Sequence, residues 1–334
     1  MKKLLFIFTF ITLMFSTSCS KEEENLPWWQ DPEELSRRPI KPTVNEIPVT
    51  RPLITQTDVK EQVAYALRSY SWNLFRQKYQ VRKESNSADS SILIAPYHVI
   101  RKLQKQMESM DEESQQFLAS IIGMGDCPLD IMKDYCKEVD TFCYLDEDVM
   151  VYNNSDSPTF RAHWLFSTYY TKKETFQKAD GNFEEVEMMS KAENFQHHVF
   201  HKYSIAKNRL GSYIYVFFVK PNYNCTIDDV IKAFDPSDLK QGEWRSLRFS
   251  MPKFYTKDSY DFGISIMQEQ VDIEQVVDLK FSESGICNVE GLWKQSHARN
   301  DFVASDVFCL DGPFLYGIVE NVTNTLLYIG YYGG

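Results

Sequence analysis

Asp311-Gly312-Pro313-Phe314-Leu315-Tyr316-Gly317-Ile318 and then Asn324-Thr325-Leu326-Leu327-Tyr328-Ile329-Gly330 close a chain of 334 residues. Phe314–Val319 and Thr325–Tyr332 are apolar runs of strand length, and Glu320-Asn321-Val322-Thr323-Asn324 supplies the turn between them. The pattern predicts a buried hairpin, with Gly330 placed to let another backbone approach closely.

Moving upstream, the texture stays β as far as Tyr144. Tyr213–Val219 reads as a strand buried on both faces and closed by Pro221. Phe160–Tyr170, Phe183–Met189, Ser246–Ser250 and Lys253–Tyr255 are further strand candidates. Ile227–Phe234 reads as a short helix opened by Thr226, and Pro236–Leu239 starts another. Before Tyr144 the period becomes helical. Val63, Leu67, Tyr70, Leu74 and Phe75 share one face along Val59–Tyr79, with Asp58 as the expected N-cap. A short β run at Ser90–Ala95 stops at Pro96, and helices follow over Tyr97–Met107, Glu112–Ile122 and Leu129–Val139. Helices first and strands later, without βαβ alternation, predict an α+β fold over residues 58–334.

Several separated segments resemble the serpin family, in that family's order. The closing hairpin is similar to the serpin ending, a "-PF-F-I" strand turning into a final "-LF-G" strand. Met251-Pro252-Lys253-Phe254 with Ser259-Tyr260-Asp261-Phe262 resembles the "LPKF…YDL" stretch, a strand running into a helix. Asp278-Leu279-Lys280-Phe281-Ser282 with Gly285-Ile286 resembles the "ADLSGI" turn, and Thr175-Phe176 with Glu185-Val186-Glu187-Met188-Met189 the "T…F…VPMM" passage. Ser91 to Ile100 resembles the "N-F-SP-SI" strand-to-helix junction, with Ala95 where serine is usual. The resemblance implies N-terminal helices packed on large mixed and antiparallel β-sheets, here reduced in size. It also implies the family's activity, serine protease inhibition by a bait loop that inserts into a sheet after cleavage.

The parts that activity requires are missing. The family's loop has a hinge of Glu-Gly-Thr followed by alanines, and nothing of the kind lies between Leu292 and Pro313. Leu292–Ser296 matches the strand before the hinge, and Phe302–Val307 supplies one more strand. Phe308 to Gly312 then remain, reaching only about 17 Å fully extended. Tyr144–Thr171 has room for about two elements where the family has two strands and two helices. The expectation is therefore a non-inhibitory binding or structural module and not an enzyme. The alternative is a serine or cysteine protease inhibitor with an atypical short loop near Arg299–Leu310, cut between Arg299 and Asn300.

The N-terminus sets the compartment. Met1-Lys2-Lys3, the apolar run Leu4–Phe15 and Ser16-Thr17-Ser18-Cys19 read as a signal peptide over residues 1–18, and they resemble a bacterial lipobox with Cys19 as the lipidated residue. Ser20-Lys21-Glu22-Glu23-Glu24 resembles the acidic tag that routes some lipoproteins to the outer face of the outer membrane. Six prolines between Pro27 and Pro52 make residues 19–57 an extended linker, in which Trp28 and Trp29 dock on the domain or rest at the membrane interface. Loss of Lys2 and Lys3 takes the formal charge from −11 to −13, which offers nucleic acid no basic footprint. The expected partners are the membrane, through the lipid, and a host or bacterial protease or other protein ligand; the domain is expected to be a monomer.

Cys127, Cys136, Cys143, Cys225, Cys287 and Cys309 allow fifteen pairings, among which the sequence does not choose. His197-His198-x-x-His201 near Glu193 is the one metal-like cluster, and a metal-dependent hydrolase using His197, His198 and His201 is the remote alternative. Val199 and Phe200 place those histidines on a strand, without the helical spacing of a zinc motif, so no metal or cofactor is expected. No Gly-x-Ser-x-Gly elbow or nucleotide loop is present, and no catalytic residue is assigned.

Overall fold

The computed structural model describes residues 56–85, 91–125, 129–153, 157–266, 269–288 and 306–334. The chain opens with α1 (Gln56–Glu84), so Asp58 lies inside the first turn rather than capping it. β1 (Ile92–Ile94), α2 (Pro96–Met107), α3 (Glu112–Ile121) and α4 (Leu129–Leu145) follow. Pro96 suits the first position of α2, where the missing N–H would have no helical partner. Asp111 caps α3 by accepting from the Ser114 amide at 2.8 Å. α4 outruns its expected end at Val139 by six residues.

Between α4 and Thr171 the described residues make two strands, β2 (Val149–Tyr152) and β3 (Thr159–Ala162). The expected strand Phe160–Tyr170 ends early, and Thr168–Tyr170 is a 3-10 turn. Then come β4 (Lys172–Gln177), β5 (Phe183–Val199), β6 (Tyr203–Arg209), β7 (Ile214–Pro221), α5 (Ile227–Ala233), a 3-10 turn (Pro236–Lys240) and β8 (Glu243–Pro252). Thr226 and Asp229 form a reciprocal capping box at the start of α5.

β9 (Phe254–Ile266) corrects an expectation: no helix follows Phe262, because the strand continues and pairs antiparallel with β10 (Glu269–Ser282). Asp258, within that stretch, is buried between Lys78 (2.8 Å) and Arg82 (3.1 Å) of α1, and its second oxygen accepts from the Leu93 amide at 3.2 Å. The strand is thereby fixed by partners some 165–180 residues away. β11 (Gly285–Cys287), β12 (Asp306–Cys309), β13 (Phe314–Glu320) and β14 (Thr325–Tyr332) complete the fold.

The strands form two sheets. The nine-stranded sheet runs β1-β14-β13-β7-β6-β5-β8-β12, with β4 beside β5, and is antiparallel except where β12 lies parallel to β8. The five-stranded sheet, β2-β3-β11-β10-β9, is antiparallel throughout. The fold is therefore α+β with one large mixed sheet and one antiparallel sheet. The predicted C-terminal hairpin lies inside it: all of β13 is buried, and so is β14 except Tyr332. Asn324 takes the turn's left-handed conformation (φ 58°) and donates to the Pro236 carbonyl at 2.9 Å. Gly330 is needed for a different reason than expected. A Cβ there would lie 2.4 Å from the Tyr316 ring, so glycine admits a side chain, not a second backbone.

Candidate functional site

The site that decides the function of such a chain is the crossing from β11, in one sheet, to β12, in the other. β11 has three residues, too few for its ladder alone to hold it. It pairs with β10 through Lys280↔Cys287, Phe281↔Ile286 and Ser282↔Gly285, and with β3 through Ile286↔Ala162 and Cys287↔Arg161. Gly285 has φ 130°, and a Cβ on it would fall 2.3 Å from the Ala162 carbonyl oxygen, so the turn expected at this point requires glycine.

Asn288 prolongs β11 with its side chain. Its amide donates to the Phe160 carbonyl (3.1 Å), its Oδ1 accepts from the Phe160 amide (2.8 Å), and its Nδ2 donates to the Pro158 carbonyl (2.6 Å). The edge of β3 facing β10 is thus occupied by β11 and then by this carboxamide.

The turn into β11 is tied to the larger sheet. Lys253 bridges Glu283 (2.6 Å) and Glu187 (2.9 Å), Thr171 donates to Glu283 at 3.0 Å, and the Phe166 amide donates to the Glu283 carbonyl at 2.9 Å. Burial, the largest single influence, would raise the Glu283 pKa, but the Lys253 hydrogen bond and charge, a backbone hydrogen bond and the Thr171 hydroxyl together outweigh it and hold the carboxyl below its ordinary value. Burial likewise opposes the charge on Lys253, and its bonds to Glu283 and Glu187 hold the ammonium above its ordinary value. Close by, the Lys191 ammonium lies 4.4 Å from the Trp164 ring centre and 2.6 Å from Glu193. Gln275 of β10 bonds both backbone groups of Ala95, at 2.9 and 3.0 Å, and contacts His98 Nδ1 at 3.1 Å. No sequence signal marked these partners, since all but the Lys191–Glu193 pair are well separated along the chain.

At the far end of the crossing, Phe308 and Leu310 are each 1% exposed. Lys220 donates to the Cys309 carbonyl at 3.0 Å, and the Leu310 amide donates to Ser250 at 2.9 Å. The distal part of the alternative bait segment Arg299–Leu310 is therefore a packed strand and not an exposed loop. Of the expected strand Phe302–Val307, Asp306 and Val307 lie among the described residues and belong to β12. Arg299, Asn300 and Leu292–Ser296 lie outside the described residues, as do Cys19, Trp28, Trp29 and Cys127.

The histidines do not converge. His197 and His198 are successive residues of β5 and so point to opposite faces, and His201 follows in an exposed turn. The His197 ring packs edge-on to Phe308 at 5.8 Å, and burial, then Arg245, depresses its pKa. Among the described residues no three metal-ligating side chains come together. No disulfide joins Cys136, Cys143, Cys225, Cys287 or Cys309. Cys136 and Cys143 are buried on α4, where burial raises their thiol pKa values above the ordinary range, to about 11 for Cys136.

Residues 145–289 match the family model "Serpin (serine protease inhibitor)". The fold is shared with human thyroxine-binding globulin complexed with thyroxine (TM-score 0.66, 12% identity, 83% of this chain and 99% of that one). This chain has the serpin fold. Protease nexin-1 with heparin (TM-score 0.64, 15% identity, 82% and 100%) and the thermophilic serpin tengpin in its native state (0.62, 12%, 87% and 98%) have the same fold. No curated protein sequence matches the chain. The serpin family's usual activity is protease inhibition. In this chain, everything between Asn288 on β3 and Asp306 on β8 is residues 289–305.

Proposed function

We propose that this chain is a non-inhibitory binding module, lipid-anchored through Cys19 and displayed at the outer face of the outer membrane. The observation that carries the reading is the length and chemistry of the crossing. A trapping serpin needs a loop that first reaches into a protease and then threads a sheet as a full strand. Here the segment between two fixed points, Asn288 and Asp306, is residues 289–305. That segment contains Trp293, Lys294, Gln295, His297, Arg299 and Phe302 and no run of small residues. Phe308 and Leu310, which would have to be released to lengthen it, are core residues. The β3 edge that a new strand would need is already taken up by β11 and Asn288.

The chain acts by binding, without catalysis and without cofactor, as a monomer. Its ligands are proteins rather than nucleic acid, in keeping with its formal charge of −11. Binding is a use to which the scaffold is put elsewhere, since thyroxine-binding globulin is seen with thyroxine bound.

Incubation of the mature protein with serine and cysteine proteases tests the reading. The expected gel shows no protease-sized adduct that survives boiling in detergent, and nicking within 289–305 leaves the melting temperature unraised. A stable adduct, with a cut at Arg299-Asn300, would overturn it. For the anchor, Cys19→Ala is expected to move the protein from the membrane to the soluble fraction.

A further inference from the structure

We infer that β2 is a docking strand for an extended, basic segment of a protein partner, which adds to the five-stranded sheet at its open edge. Exposed strand edges carry unpaired backbone donors and acceptors, and natural proteins blunt them with shortness, charge, proline or a covering element. The other edges here have such devices. β1 has three residues. β4 places Lys172, Lys173 and Glu174 on its edge. β12 is four residues long, begins with Asp306 and has its Cys309 carbonyl taken by Lys220. β9 is covered by α1, whose Lys78 donates to the Ser259 carbonyl at 3.1 Å and binds Asp258 at 2.8 Å.

β2 is as short as β12 but has none of the other devices. It reads Val149-Met150-Val151-Tyr152, without charge or proline, and among the described residues β3 is the one strand that pairs with it. Val149 faces the core, whereas Met150 and Tyr152 share the other face and are 37% and 60% exposed. An apolar, unprotected edge of this kind is a template for strand addition, in which backbone bonds give affinity and alternate side chains give selectivity.

Charge selects the occupant. The turn into β2 presents Glu147 and Asp148, both exposed. An added strand with apolar residues over Met150 and Tyr152 and lysine or arginine beside Glu147-Asp148 matches this edge; an acidic one is repelled.

The inference rests on reading the chain as a binding module, and its test is separate from the protease test, since peptide binding at β2 and covalent trapping are read on different molecules. The probe is a short fluorescent peptide alternating valine and threonine and ending in two lysines, titrated into the mature protein. Controls are the same peptide ending in two glutamates and one with a central proline. The basic peptide is expected to bind saturably, with each control at least about tenfold weaker. Glu147→Lys with Asp148→Lys should reverse the charge preference, and Tyr152→Lys should abolish binding while the melting temperature stays within a few degrees; Tyr152→Ser is the substitute if the lysine variant is misfolded. Equal binding of the three peptides would overturn the inference. So would a concentration-dependent dimer that Tyr152→Lys dissolves, since a second copy of the chain would then be the occupant.

Discussion

The C-terminal hairpin and the β10–β11 turn both belong to this serpin-like fold, yet they are held in opposite ways. β13 and β14 are long, apolar and central. β13 pairs with β7 on one side and β14 on the other, and its aromatic side chains, Phe314 and Tyr316, pack among Phe218, Phe254, Phe281 and Tyr332. Shape complementarity does the holding there. β11 is three residues long and depends on polar clamps: Asn288 on β3, and Lys253 across Glu283 and Glu187. A strand too short to hold itself must borrow side-chain bonds, and such bonds break one at a time where a packed core fails as a whole.

The sharpest way to break the comparison is Gly317→Val in the hairpin. Its Cβ would lie 2.4 Å from the Tyr328 carbonyl oxygen and 2.5 Å from the Phe217 ring, with backbone on one side that cannot yield. Overpacking of this kind costs about 3 kcal/mol. Chemical denaturation is expected to show a lower midpoint with an unchanged slope, the sign of a cooperative loss; an unaffected midpoint would mean the hairpin is looser than described.

Asn288→Ala is the matching change at the turn. It removes one acceptor and one donor from the Pro158–Phe160 backbone while leaving the Asn288 amide bond to the Phe160 carbonyl. The site is half-buried, so water replaces part of the loss, and the expected cost is about 1–2 kcal/mol. Hydrogen exchange should quicken at the Phe160 amide and stay slow in β13 and β14. Equal acceleration in both regions would show that they unfold as one unit and that the distinction drawn between them is false.

The same contrast explains what the sequence disclosed. The hairpin was legible because both of its faces are buried, so each residue shows the apolar pattern by which strands are recognised. β5 was legible only to Met189. Beyond it come Ser190, Lys191, Glu193, Asn194, Gln196, His197 and His198, polar residues that are strand because β8 and β6 flank them. The helix expected over Leu129–Val139 runs on to Leu145, past Tyr144 where the β texture begins, and Cys143 is buried on it. The resemblance implies a helix after Phe262, where pairing with β10 keeps β9 extended through Ile266. The turn at Gly285 was visible because only glycine fits; the clamps around it join residues as far apart as Asn288 and Pro158 and leave no local mark.

The smallest effect comes from the ion pairs, and pH resolves it. Lys253 and Glu283 have side chains 27% and 12% exposed, so Lys253→Met is expected to cost only about 1 kcal/mol. The Glu283 pKa is lowered from 4.5 and that of Lys253 raised from 10.5. A carboxyl with a depressed folded pKa contributes stability that is present above its unfolded value and lost as the pH falls through the folded one. An ammonium with a raised folded pKa contributes stability that is present below its unfolded value and lost as the pH rises through the folded one. The stability gap between wild type and Lys253→Met should therefore be flat from about pH 5 to 10 and close on both sides. Measured as a difference in denaturation midpoint, closure on the acid side alone would assign the pair to Glu283 and leave Lys253 replaceable by any cation. A gap that persists below pH 3 would mean that the lysine's contribution is packing, and the β10–β11 turn would then be held by shape, as the hairpin is.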